Sequence, residues 1–274
     1  MLSALGVYRE SQFSPGKIGA DAAILNAVLE RLDAEGVAVS AIGPSQLSDG
    51  RGQRYDLIMA MCQGAEALQG LAAAQDPGAL VINSPQAIRS CYRDRLGRIL
   101  EDAALPVPEG ILVETGAPID PRSIARLDPE HGIFVKRGDL HALFAGDVRR
   151  ADDPGSLAMI LRDFAARGIR FAYLQQAVEG TVVKFYGVTG GEYFSVADNG
   201  AELPAPLLGR LHGAAQAGAQ ALGLEVWGGD AVVEGGHFKI VDFNDWPSFE
   251  RVRTQAAPAI ARRALELLAM RARR

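Results

Sequence analysis

The sequence predicts an α/β protein built from two or three small lobes, and three observations carry that expectation. Short β-rich runs alternate with helical patterns along all 274 residues. Residues 1–84 repeat the strand and helix alternation of a doubly wound lobe. From residue 171 on, strand-like runs follow one another with only short turns between them, as in an antiparallel sheet.

Taken in order, ALGVY over residues 4–8 reads as a strand, and Ile18, Ala22, Leu25, Leu29 and Leu32 then form an apolar stripe at helical spacing. VAVSAIG, DLIMAMC and LVIN read as further strands, with a helix near residues 64–74 between the last two. Ser84 and Pro85 suit the cap and first position of a helix running to about Ala104. GIFVKRG and ALFAGDV form an expected strand pair, followed by a helix over 156–166. FAYLQQAV, TVVKFYGV and EYFSVAD are expected to be consecutive antiparallel strands. Residues 206–222 read as a helix, and Pro258 is placed at the opening of the last one, with Ala261, Leu265 and Leu268 facing inward.

Composition excludes several function classes. Apolar residues at 48% and charged residues at 22% are ordinary for a globular enzyme. A net charge of −5 and a pI near 5.5 argue against nucleic acid as a partner. Cys62 and Cys91 form no CxxC pair and suit a reducing compartment. No membrane-length apolar run and no signal-peptide pattern is present, so no membrane partner is expected and the cytoplasm is the expected location. SPGKIG lacks the first glycine and the Ser/Thr of a phosphate-binding P-loop, and GxGxxG, GxSxG and HExxH are missing. The four histidines show no metal-ligand spacing.

What remains is a pattern of carboxylates and lysines. In GGDAVVEGGHFKIVDFNDWPSF, Asp230 precedes Asp242 by twelve residues, and Asn244 lies two further on. Strand alternation puts Ile240, Asp242 and Asn244 on one face, and a turn at Gly235-Gly236 would fold Asp230 beside Asp242. Three hard oxygen donors there suit Mg²⁺. Lys136 in GIFVK and Lys184 in TVVKFYGV sit in mid-strand, where a charge marks either a solvated face or a cation aimed into a cleft. Between them YLQQAVEG offers a strand edge for a flat base and Glu179 for ribose hydroxyls. The helix N-terminus after FSPGKIGAD, with Lys17 nearby, could dock an anionic group.

The order of these features resembles the ATP-grasp superfamily over nearly the whole chain. That family pairs a first α/β lobe with two α+β lobes that clamp ATP. Here the lobes would be residues 1–84, 85–178 and 179–274. The matching parts are NSPQAIRSCYRDRLGRIL, FVKRG, YLQQAVEG, TVVKFYGV and VDFNDWP. The resemblance implies that Arg95 and Lys136 contact the α and β phosphates, and that Gln176 and Val178 present main-chain groups to adenine. It also implies that Glu179 holds ribose, that Lys184 faces the transferred phosphate or substrate, and that Asp230, Asp242 and Asn244 hold Mg²⁺. Two branches are similar. Ribosomal-protein glutamate ligases share the lobe order and the acidic spacing, while inositol trisphosphate kinases share the Asp94-Arg95 pair, KRGDLHALF and VVKFYGV. The chain departs from both in its short KRGDLHA segment and in FSVADNG, where an arginine is common. Arg210, Arg251 or Arg253 is the expected substitute cation, and His141 an orienting group for the acceptor. The expected function is ATP- and Mg²⁺-dependent ligation of a carboxylate to an amine on an anionic small molecule. A small-molecule kinase and a non-catalytic ATP binder are the alternatives.

Overall fold

In the computed structural model, the described residues are 2–47, 55–75, 78–127, 131–140, 144–190, 193–197 and 203–273. Strands β1 (Ser3–Val7), β2 (Ala38–Ile42), β3 (Leu57–Ala60) and β4 (Leu80–Ile82) form a parallel sheet in the order β2-β1-β3-β4. Alternation explains its two covered faces. Ala4, Leu57 and Met59 pack toward helix α1 (Ile18–Ala34), whereas Leu5, Val7, Ile58 and Ala60 pack toward α2 (Ala65–Gln75).

A second, antiparallel sheet has the order β5-β8-β6-β7, from β5 (Gly110–Glu114), β6 (Ile133–Arg137), β7 (Val148–Ala151) and β8 (Phe171–Gln176). Helix α6 (Pro154–Ala166) covers it with Leu157, Ile160, Leu161 and Phe164. The third sheet, order β10-β9-β11-β12, contains β9 (Thr181–Val188), β10 (Tyr193–Ala197), β11 (Val226–Glu234) and β12 (His237–Asp245), paired antiparallel throughout. Helix α7 (Ala205–Leu222) packs on it through Leu211, Ala215 and Ala219. Helices α3 (Pro85–Ser90) and α4 (Arg93–Asp102) lead from the first sheet into the other two, and the short α5 (Pro121–Ala125) follows β5. Ser84 caps α3, its Oγ accepting from the Ala87 amide at 3.1 Å.

Several expectations are corrected. The helix expected from residue 85 to 104 is two helices, because Tyr92 is extended (φ −69°, ψ 139°) and its hydroxyl donates to the Gln63 carbonyl. The partner of β6 starts only at Val148, the last residue of ALFAGDV, because residues 145–147 form a 3₁₀ turn. β8 and β9 do not pair: the 177–180 segment carries the chain from the second sheet to the third. Ile18 is exposed at the start of α1. Pro258 lies inside α8 (Arg253–Ala272) instead of opening it. As the sixth residue of the helix it has no amide to give the Thr254 carbonyl, so one intrahelical bond is lost near the N-terminal end. The strand β5 had no counterpart among the expected elements.

Helix α8 emerges after the third sheet yet packs on the first: Ala256, Ile260, Ala264 and Leu268 share a core with α1. Asn83 fastens the same two parts. Its side-chain amide donates to the Val226 carbonyl at 2.7 Å and accepts from the Glu225 and Val226 amides at 2.8 and 3.0 Å, fully buried. The third sheet is thereby set against the end of β4, and a cleft opens between them.

Candidate functional site

The site is assembled on the third sheet. Asp230 on β11 stands opposite Asp242 on β12, Gly228 stands opposite Asn244, and on β11's other side Asp230 pairs with Lys184 of β9. Asp242 and Asn244 line one cleft, as same-face positions should. A bulge at Asp230/Ala231 pairs Ala231 with Ile240 and leaves Val241 over. Ile240 is consequently turned into the core beside Phe243, not onto the Asp242 face as expected. Gly229 permits the close approach of the two strands. A Cβ there would lie 2.4 Å from the Asp242 carbonyl oxygen.

Two ion pairs and a buried lysine surround these carboxylates. Lys184 Nζ donates to Asp230 Oδ1 at 2.7 Å, with the lysine side chain half exposed. Arg93, at the start of α4, donates from Nη2 to Asp242 Oδ2 at 2.8 Å. Lys136, 7% exposed on β6, donates to the Val241 carbonyl at 2.9 Å. Burial pulls its ammonium down to about 8, with Asp242 opposing and Arg93 adding to the fall. For Lys184 burial acts in the same direction, but the hydrogen bond and charge of Asp230 outweigh it and the pKa rises.

Two spaces meet here. A narrow one of about 20 Å³ lies between the second and third sheets, among Lys136, Tyr173, Gln175 and Val241. A wider one of about 300 Å³ lies between the third sheet and the first lobe, among Arg9, Lys17, Gln63, Lys184 and Asn244. Arg93 and Asp242 border both.

The structure brings Lys136, Lys184, Asp230, Asp242 and Asn244 together, and it places the other predicted residues apart from that cluster. Arg95 is exposed, and Arg93 is the basic residue that reaches Asp242. The signal was in the helix phase: Arg93, Leu96, Gly97 and Leu100 are buried along one face of α4, whereas Arg95 and Arg98 fall outside it. The Gln176 amide is already bonded to the Glu109 carbonyl, and Gln175 is the glutamine that lines the narrow space. Val178 is half-buried and Glu179 exposed, both on the segment joining the two sheets. Arg210 does not serve the site, since it donates to the Gly236 carbonyl at the far β11–β12 turn. Arg251 is exposed, with its charge felt by Tyr186, while Arg253 is half-buried at the start of α8. Lys17 is exposed on the wider cleft. His141 lies outside the described residues. Gln63 was not anticipated, and its Nε2 donates to the buried Asp245 at 2.8 Å.

Two carboxylates and an amide on adjacent strands are hard oxygen donors of the kind Mg²⁺ takes, and the cation's remaining positions would go to water and phosphate. Among the described residues no group of three or more His, Cys, Asp or Glu side chains could hold a metal. A divalent cation here therefore depends on the Asn244 amide as its third protein donor. No helix among the described residues is long and apolar enough to cross a membrane.

No family model matches the sequence, and no curated protein matches it. Solved structures do match its fold. A D-alanine–D-alanine ligase from Bacillus anthracis, complexed with ATP, superposes with a TM-score of 0.76 at 14% identity, over 98% of each chain. A RimK domain ATP-grasp protein from Sphaerobacter thermophilus gives 0.72 at 17% identity, over 96% of this chain and 99% of that one. The VanG D-Ala:D-Ser ligase from Enterococcus faecalis gives 0.72 at 12% identity, over 97% and 99%.

Proposed function

From the ATP-grasp fold that this chain has, we propose that it is an ATP- and Mg²⁺-dependent ligase joining a small carboxylic acid to an amine through an acyl phosphate. One observation carries the proposal: Asp230, Asp242 and Asn244 face Lys136 and Lys184 where two clefts meet. Such a junction suits a nucleotide on one side and an acceptor on the other. The solved structures of similar fold include ligases that use D-alanine or D-serine, which supports ligation over other ATP chemistry.

In this reading residues 85–178 and 179–274 clamp the nucleotide, with residues 1–84 closing the acceptor side. Lys136 binds the α and β phosphates, and Gln175, Val178 and Glu179 line the approach to base and ribose. Asp230, Asp242 and Asn244 hold Mg²⁺, which offsets charge on the phosphates. Lys184 orients the transferred group, and Lys17 and Arg251 draw in an anionic substrate. A carboxylate oxygen bonds to the γ phosphorus as the bond to the ADP oxygen breaks. The amine nitrogen then bonds to the acyl carbon, phosphate leaves, and the amine gives up a proton. No strong protein base is required, because positioning and charge stabilisation carry the transfer.

Hydroxylamine provides the test. Protein, MgATP and a panel of small carboxylic acids, without an amine, should yield a hydroxamate together with ADP. A stable phosphoester on a hydroxyl acceptor, unaffected by hydroxylamine, replaces ligation by kinase activity.

A further inference from the structure

Arg93 is 6% exposed and borders both clefts. Only Nη2 of its guanidinium is engaged, on Asp242, while Nε and Nη1 are buried without a hydrogen-bond partner. Buried donors on a charged group are costly to leave unpaired, so their position calls for a partner that arrives from outside the fold. Charge points the same way. Arg93, Lys136 and Lys184 surround Asp230 and Asp242, so three cations face two carboxylates. Burying such an excess is unfavourable unless an anion offsets it.

The structure assigns Arg93 as a catalytic residue of phosphoryl transfer, its Nε and Nη1 binding oxygens of the transferred group while Nη2 stays on Asp242. The planar fork suits this double task, because one edge can hold a metal-binding carboxylate while the rest faces the phosphoryl oxygens; a lysine cannot do both. The guanidinium remains protonated throughout: the incoming oxygen–phosphorus bond forms as the bond to ADP breaks, and Arg93 exchanges no proton. Its donors act most strongly on charge present only in the transition state. The assignment rests on the ATP-dependent reading of the site but not on the identity of the acceptor.

Two measurements separate these. In the first, MgADP is titrated into the protein with and without aluminium fluoride, a mimic of the group in flight. Wild type should bind more tightly with fluoride. Arg93→Gln should lose that gain over and above any change in its affinity for MgADP alone, and Arg93→Lys should recover only part of it. In the second, hydroxamate formation should fall on the order of 10²- to 10³-fold in Arg93→Gln, and guanidinium added to Arg93→Ala should restore part of the rate. Arg98→Ala is the control, since that side chain is exposed on the same helix. Circular dichroism confirms folding, and Arg93→Lys carries the test if the glutamine variant does not fold. A fluoride gain that survives in Arg93→Gln, or a wild type that shows none, overturns the assignment. A gain that depends on Arg93, with no hydroxamate from any acid, leaves the assignment standing and removes the ligase reading.

Discussion

Asp242 and Asn244 share a strand with Phe243 and Asp245, but they alone of the four line the cleft; Phe243 and Asp245 are fully buried. That separation allows them to be altered without touching the core. Asp242→Asn or Asn244→Ala should reduce turnover on the order of a hundredfold or more while circular dichroism stays that of wild type. A near-normal rate removes these residues from the metal site. Lys136 allows a test by pH. Its pKa falls from an ordinary 10.5 to about 8 in the fold. Between those values the unfolded chain holds a proton that the folded chain has released, so stability rises with pH across that window. Below pH 8 the wild type bears the whole cost of the buried charge, on the order of 3 kcal/mol, and recovers it as the lysine discharges. Urea midpoints of wild type and Lys136→Met should therefore converge or cross between pH 8 and 10.5. Parallel curves refute the shift.

At the scale of elements, the β11–β12 pair decides where the carboxylates stand. Gly229 lets β11 approach so closely that an added Cβ would meet both the Asp242 carbonyl and the Phe185 ring at under 3.0 Å. The backbone atom cannot swing aside as a side-chain end can. Gly229→Ala should cost about 1–3 kcal/mol, as overpacking does, and should also impair turnover by displacing Asp242. Chemical denaturation reads the first effect and ADP release the second; a stable variant with altered rate would assign Gly229 to function alone. Helix α4 shows a different dependence. Its break from α3 at Tyr92 sets the phase that buries Arg93 and exposes Arg95.

Across the whole molecule, stability and site geometry meet at Asn83 and α8. One buried amide satisfies three backbone groups at the entry to β11, so Asn83→Ala leaves them all without that partner. We expect a loss of about 2–4 kcal/mol, measured by urea unfolding, with weaker nucleotide binding because the sheet is no longer fixed against the first lobe. A variant as stable as wild type would mean that water or backbone rearrangement replaces the amide. Helix α8 is equally shared: it follows the third sheet in the chain but buries Ile260 and Leu268 in the core of the first. The first 84 residues therefore lack one face of their own core.

The strand and helix alternation of the first lobe, the α1 stripe from Leu25 to Leu32 and the spacing of Asp230, Asp242 and Asn244 were legible in the sequence, because each depends on neighbours within a few positions or on one hairpin. Ser84's cap was legible for the same reason. The resemblance to ATP-grasp proteins rested on ordered motifs, and the superposed structures bear out the fold. Contacts distant in the chain were not legible. Periodicity does not say which sheet a strand joins, so β8 and β9 were expected to pair although the second and third sheets separate them. Local alternation likewise misses a bulge, which turned Ile240 into the core. Sequence alone determined the chemistry available to this protein. Tertiary structure decided which of its cations meets Asp242, because helix phase, strand register and the docking of α8 depend on packing between segments far apart in the chain.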